Sequence, residues 1–261
     1  MTARVEQAVV SLGPGVDMPV LGFGTWQATG QKGYSAIRAA LDVGYRHLDT
    51  ATMYGNEAEV GRAIKDSGVP RDDVFVTTKL PPDRVGRAEE TLAASLAALD
   101  TDYVDLWLIH WPPRGGESVP TWRAFVAARQ AGHVRAIGVS NYSLAQIDEL
   151  ADATGAVPAV NQVPWGPTLH DLRTLVEHQS RGVVLEGYSP FQNTDLDTPL
   201  LVEIADAHQV SPAQVVLRWH LQHGIVVIPK SVTPQRIAAN ADVFDFELTD
   251  GEMARIDDLT E

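Results

Sequence analysis

Four residues in the first half of the chain carry side chains suited to moving a proton beside a charge: Asp49, Tyr54, Lys79 and His110. Asp49 sits in HLDTA, Lys79 in VTTKL and His110 in LWLIHWP, each after a run of residues that should be buried, and Tyr54 follows Asp49 in the MYGNE loop. Taken singly, each has a plain structural use: Asp49 as a helix cap, Lys79 as a solvated strand end, His110 as a core histidine. Three consecutive strand ends carrying an acid, a lysine and a histidine, with a tyrosine alongside, describe a proton-transfer site instead. Reduction of a carbonyl needs a hydride on one face and a proton at the oxygen as negative charge develops there. Tyr54 is the expected proton donor. Its ordinary pKa is about 10, and a nearby Lys79 ammonium should favour the phenolate and make it a better acid. Lys79 needs a counter-charge to stay protonated when desolvated, which Asp49 supplies, and His110 is left to orient the substrate oxygen.

The elements that must hold these groups are legible as eight β-rich runs: GFGTW, YRHLDT, VFVTTK, VDLWLIH, RAIGVSN, PAVNQV, VVLEGYS and GIVVIPKS. Between several lie amphipathic segments with helical spacing, among them Tyr34 to Asp42, Arg87 to Leu99, Trp122 to Arg129 and Leu172 to His178. Apolar strands alternating with helices point to a parallel sheet. A count of eight favours a closed α/β barrel, in which functional groups project from the carboxyl ends of the strands. Upstream, VVSLGPGVDMPVL reads as a β-hairpin around a Gly-Pro-Gly turn that covers one barrel mouth, its N-terminal bottom. Ser211-Pro212 and Thr233-Pro234 each put a capping hydroxyl before a proline, and Leu248 to Leu259 reads as a further helix near the C-terminus. No composition break or long linker divides the 261 residues, so one domain over 1–261 is expected.

The chain has no cysteine, which excludes thiolate nucleophiles and cysteine-ligated metals and suits a reducing compartment. MTARVEQAVV lacks an apolar leader core, and no stretch approaches a membrane span, so a cytoplasmic protein is expected, and a monomer. A net charge of −14 opposes nonspecific binding to nucleic acid or anionic lipid. Against that acidity, the cations of IPKSVTPQRI are informative. Lys230 and Ser231 follow the eighth run and Arg236 lies just inside the next helix, a credible phosphate cradle. A Rossmann fingerprint fails, because Gly22 and Gly24 are followed by Gln27 where the third glycine belongs. Ser140, Asn141 and Gln162 at other strand ends suit a carboxamide, and Tyr188 offers a face for a planar ring; their plain use is loop capping.

GFGTW, HLDTA, YGNE, TTKL, LIHWP, GVSN, NQV, GYSP and IPKSVTPQRI, in this order over nearly the whole chain, resemble the aldo-keto reductase family. The resemblance implies a (β/α)8 TIM barrel and an NADPH-dependent oxidoreductase acting on small carbonyl substrates: aldehydes, α-dicarbonyls or keto sugars. It implies that Asp49, Tyr54, Lys79 and His110 are catalytic and that Ser140, Asn141 and Gln162 hold the nicotinamide carboxamide while Tyr188 stacks on the ring. It further implies that Lys230, Ser231 and Arg236 meet the adenosine phosphate and that Asn240 contacts adenine. Ala239 departs from an acidic adenine contact, Leu80-Pro81-Pro82 replaces a common tryptophan, and WPPRGGESVP and FQNTDLDTP are short, so the substrate pocket should be open. Trp26, Met53 and Trp111 are expected to form its apolar wall. A nicotinamide-sensing or partner-binding barrel and a phosphate-substrate isomerase are the competing readings.

Overall fold

The computed structural model describes residues 8–115 and 117–259. The MTARVEQ stretch, part of the segment read as lacking a leader, lies outside them, as do Gly116 of the short loop and the last two residues.

The expected hairpin is present. β1 (Val9–Ser11) pairs antiparallel with β2 (Asp17–Pro19), and Gly13 and Gly15 turn the chain between them with positive φ values of 136° and 74°. Eight parallel strands follow: β3 (Phe23–Gly24), β4 (His47–Asp49), β5 (Phe75–Leu80), β6 (Val104–Ile109), β7 (Val134–Ser140), β8 (Val160–Pro164), β9 (Val184–Tyr188) and β10 (Val226–Val227). Each pairs with the next in sequence. The first and last edges also meet: Val227 N donates to Val20 O at 2.9 Å and Gly22 N to Val227 O at 2.9 Å, so the sheet closes into a barrel. Every run read as a strand from sequence is one of these eight.

Helices fill the crossovers, as parallel pairing requires. They are α1 (Gly30–Asp42), α2 (Glu57–Ser67), α3 (Ala88–Leu99), α4 (Ser118–Gln130), α5 (Leu144–Thr154) and α6 (Leu172–Ser180), then α7 (Pro199–His208) and α8 (Pro212–Gln222) before β10, and α9 (Pro234–Ala241) and α10 (Asp250–Asp257) after it. α1 begins four residues before the segment recognised from periodicity, because Gly30, Gln31 and Lys32 are exposed and the buried Gly33 has no side chain, and α4 extends the predicted segment at both ends. Ser211 caps α8 in a reciprocal box with Gln214. The second predicted cap differs. Thr233 makes no side-chain cap; its own N–H instead donates to Ser231 Oγ at 3.1 Å.

The layers of the barrel interior explain where chemistry is possible. Its lower part is dry: Phe75, Leu106, Leu108, Ala136, Val160 and Val226 pack together, and fully buried Met18 from the hairpin plugs them from below with Val10, Leu12 and Val16. Above this floor the inward positions turn polar. The step is made possible at one point by Gly22, where a Cβ would lie 2.6 Å from His47 Nδ1 and 2.8 Å from Ile228 Cγ2. His47 occupies the space a side chain would take. We predict that Gly22→Ala, which overpacks this point, lowers stability by about 1–3 kcal/mol in chemical denaturation; an unchanged midpoint would show that the contact relaxes freely.

Candidate active site

At the centre of the upper layer lies an ion pair sealed from water. Lys79, 0% exposed on β5, donates from Nζ to Asp49 Oδ1 at 2.6 Å and Oδ2 at 2.7 Å, and to Thr50 O at 2.9 Å. Its remaining direction is toward Tyr54 OH at 3.4 Å. Register creates this meeting, because Asp49 of β4 lies opposite Thr77 of β5, so the longer Lys79 side chain reaches across the strand pair. Burial works against the ammonium, but Asp49, with Tyr54 and Glu186, more than offsets it and raises the Lys79 pKa.

Tyr54 is carried by a short 3-10 turn (Thr52–Tyr54) and is held there by residues the sequence reading passed over. Asn56 Nδ2 donates to Thr25 O at 2.8 Å and Ala28 O at 2.9 Å, while its Oδ1 accepts from Thr50 Oγ1 at 2.8 Å. Asn56 thus ties the tyrosine loop to the end of β3. The expected acidification of Tyr54 needs correction in direction: burial raises its pKa, Lys79 lowers it, and burial prevails. Lys79 therefore limits a rise rather than producing a fall.

His110 directly follows β6, and its ring packs edge-on with that of Tyr54, centroids 5.8 Å apart. Burial, followed by Lys79, drives its pKa down to about 3, so the imidazole is neutral near pH 7. Its Nδ1 is buried with no hydrogen-bond partner among the described residues. A proton there would be a buried, unpaired donor, so the single N–H is better placed on Nε2.

These groups sit at the foot of a cleft of about 760 Å³. Asp49, Tyr54, His110, Ser140, Asn141, Gln162, Tyr188 and Lys230 all line it, and so do Trp26, Met53 and Trp111. Lys79 lies directly beneath. Ser231, Arg236 and Asn240 are outside the lining, on the segment after Lys230 and on α9. Asn141 takes a left-handed backbone (φ 63°), a conformation asparagine tolerates better than most residues. It spends both Nδ2 hydrogens on Ser140 Oγ (2.9 Å) and His110 O (3.2 Å), while Tyr188 OH donates to its Oδ1 at 2.9 Å. The Tyr188 ring is thereby tethered across the cleft. Trp26, Met53 and Trp111 stand 57%, 59% and 45% exposed, so the apolar wall is open as the short loops imply. Phe191 and Gln192 of the loop after β9 also line it, beside Ser189 and Pro190, and were not anticipated.

The order of strands, the buried Asp49–Lys79 pair and the position of Tyr54 are accompanied by a match of residues 20–261 to the Aldo/keto reductase family. The chain belongs to the aldo-keto reductase family. It is 46% identical over 255 residues to an aldo-keto reductase of Mycolicibacterium smegmatis, covering 96% of this chain and 92% of the relative. It is 43% identical to the morphine 6-dehydrogenase of Pseudomonas putida, over 97% of this chain and 92% of that enzyme. A Bombyx mori aldo-keto reductase solved in complex with NADP superposes with a TM-score of 0.90 at 35% identity, covering 97% and 92% of the two chains. Like these oxidoreductases, this family member is a TIM barrel. Among its described residues no helix is long and apolar enough to cross a membrane.

One further carboxyl was missed. Glu186, inside the apolar run of β9, is fully buried, and burial, with Asp49 adding, pushes its pKa up to about 8. His47 and His220, also fully buried, are driven down to about 4, in both cases chiefly by burial. With His110, three histidines stay neutral in the fold at pH values where the unfolded chain, titrating at about 6.5, takes up protons. Their stabilisation is present above pH 6.5 and lost as pH falls toward 4. Glu186 has the opposite sign, as do Glu57 and Asp105, whose burial also raises them, while buried His178 joins the depressed histidines. We predict that Tm drops by on the order of 10 °C between pH 7 and pH 4.5 in thermal scans; a flat profile would contradict neutral burial.

Proposed function

We propose that the chain is a single-domain (1–261), monomeric, cytoplasmic reductase that uses NADPH to reduce aldehyde or ketone carbonyls, with Tyr54 as the proton donor. The observation that carries this reading is Lys79 Nζ set between Asp49 and Tyr54 OH beneath the cleft. The polar groups around that cleft suit a nicotinamide: Gln162 Oε1 is left as an acceptor, and a bound carboxamide would replace hydrogen bonds that Ser140 and Asn141 now make with each other and with neighbouring carbonyls. Ser140, Asn141 and Gln162 offer a hydroxyl and two amides at adjacent strand ends, and Tyr188 gives a ring tethered at its edge. Gly24 also lines the cleft, and a Cβ there would lie 2.9 Å from Ile228 O, so glycine permits the close approach of these two strand ends at the cleft wall. Lys230 lies at the cleft, and Ser231 and Arg236 continue from it to the first turn of α9. This cationic segment suits the extra phosphate that separates NADPH from NADH.

When bound, the cofactor supplies the hydride. The protein's own part is proton delivery and positioning. His110, neutral, directs its N–H to the carbonyl oxygen; Tyr54 OH gives its proton to that oxygen as charge develops. The resulting phenolate faces the Lys79 ammonium, which Asp49 keeps charged. Burial around Tyr54 holds its proton until an acceptor arrives, so the rate depends on electrostatic complementarity more than on an acidic phenol. Among the described residues no lysine or arginine other than Lys230 lines the cleft, so the wall of Trp26, Met53, Trp111 and Phe191 suits uncharged carbonyl compounds.

Two outcomes are expected. Tyr54→Phe should lower kcat by about 10²- to 10⁴-fold on a panel of aldehydes and α-dicarbonyls while leaving the NADPH Kd unchanged. NADPH binding with no turnover across that panel in the natural protein would support a non-catalytic barrel instead. Arg236→Ala should weaken NADPH by about ten-fold and leave NADH almost untouched in fluorescence titrations; an unaltered preference removes Arg236 from phosphate recognition.

A further inference from the structure

Gln162 Nε2 donates to Asp49 Oδ2 at 2.8 Å and to Glu186 Oε2 at 2.8 Å. Both hydrogens of that amide are therefore committed below the cleft, and its Oε1 remains as an acceptor for whatever lies above. The reverse orientation would set the amide oxygen against two carboxyl groups, one of them the lysine-paired Asp49. Strand register makes the arrangement, because Gln162 of β8 and Glu186 of β9 are direct partners.

Among the described residues no lysine or arginine forms an ion pair with Glu186. Its Oε1 makes no hydrogen bond and lies 3.7 Å from His47 Nε2. His47 Nδ1 faces Pro19 O at 3.2 Å, and a carbonyl can only accept, so Nδ1 bears the ring proton and Nε2 is a lone pair, shared with Thr77 Oγ1 at 3.2 Å. A protonated Glu186 can direct its hydrogen toward that lone pair. The charged and titratable groups facing it are Asp49 and His47 from β4, Lys79 from β5 and, more distantly, Tyr54 from the loop after β4, which stays protonated over this range because burial raises it. Neutral Gln162 from β8 and Val226, the register partner of Glu186 on β10, add no charge. Asp49 and Lys79 neutralise one another, and His47 is neutral, so Glu186 is the member of this group free to change the charge under the cleft.

We propose that Glu186 is a positioning residue for the cofactor: it orients Gln162 so that Oε1 accepts from the nicotinamide carboxamide, and its ionisation places a negative charge beneath the ring that favours the oxidised cofactor. This rests on the assignment of Gln162 to the carboxamide. The oxidised ring is cationic and the reduced ring neutral, so an ionised Glu186 tightens NADP⁺ and leaves NADPH nearly unchanged.

The test measures Kd for NADPH and NADP⁺ by tryptophan fluorescence from pH 6.5 to 9 in the full chain, Glu186→Gln and Glu186→Ala. In the natural protein, NADP⁺ should gain on NADPH by about three- to ten-fold as pH rises through 8. Glu186→Gln keeps an acceptor for Gln162 and loses the titration. It should hold NADPH within about two-fold of the natural protein and show a Kd ratio independent of pH. Glu186→Ala should weaken both cofactors about ten-fold. A pH-dependent ratio that survives in Glu186→Gln, or a Glu186→Ala protein with unchanged Kd values, overturns the proposal. Should Glu186→Ala fail to fold, the Glu186→Gln ratio decides alone. If the natural protein binds neither dinucleotide, the reductase reading fails first and takes this one with it.

Discussion

The buried pair of Asp49 and Lys79 is the contact around which the upper barrel is arranged. Two charges removed from water are sustained only by close geometry and further hydrogen bonds. Here the ammonium meets both oxygens of Asp49 and the Thr50 carbonyl, while Asp49 takes a second donor from Gln162. Removing either partner would strand the other in a dry interior. The strands must therefore hold their register, and the loop bearing Tyr54 must stay close enough to use the ammonium's remaining direction. A stable fold and a poised site are two results of one electrostatic requirement.

That requirement also accounts for the polar groups around it. His47, Glu186 and Gln162 are buried where an apolar side chain would have been simpler, and each is bonded or faced by another. The dry layer of Phe75, Leu106, Leu108, Ala136, Val160 and Val226 below, closed by Met18, isolates this group from solvent at the hairpin end. The cleft is the side on which its hydrogen bonds remain to be completed.

Strand identity and the principal site residues were legible because each strand is a short apolar run ending abruptly in a polar residue, and a parallel barrel collects such ends at one mouth. Asp49, Lys79 and His110 declare themselves that way. Glu186 does not, because it lies two residues before Tyr188 within the run, and its inward direction depends on the pleat and on register with Gln162. Asn56 was hidden for another reason: its partners Thr25 and Ala28 are distant in sequence, so only the folded chain shows that it anchors the tyrosine loop. The direction of the Tyr54 shift was misjudged because a neighbouring charge can be read from residue types, whereas the depth of burial opposing it cannot. The Thr233 cap failed similarly, since Ser231 takes the local N–H that a sequence motif leaves unassigned.

The exposed wall has a different consequence. Trp26, Met53 and Trp111 come from three separate loops and are about half exposed, whereas the floor is one hydrogen-bonded unit. Changes in a bonded unit are strongly non-additive, while changes at well-separated groups combine nearly independently. Substituting Trp26 and Trp111 should therefore behave as the adjustment of separable parameters, each reshaping one side of the entrance. The molecule divides into a floor that can be altered only as a whole and a rim that can be altered piece by piece.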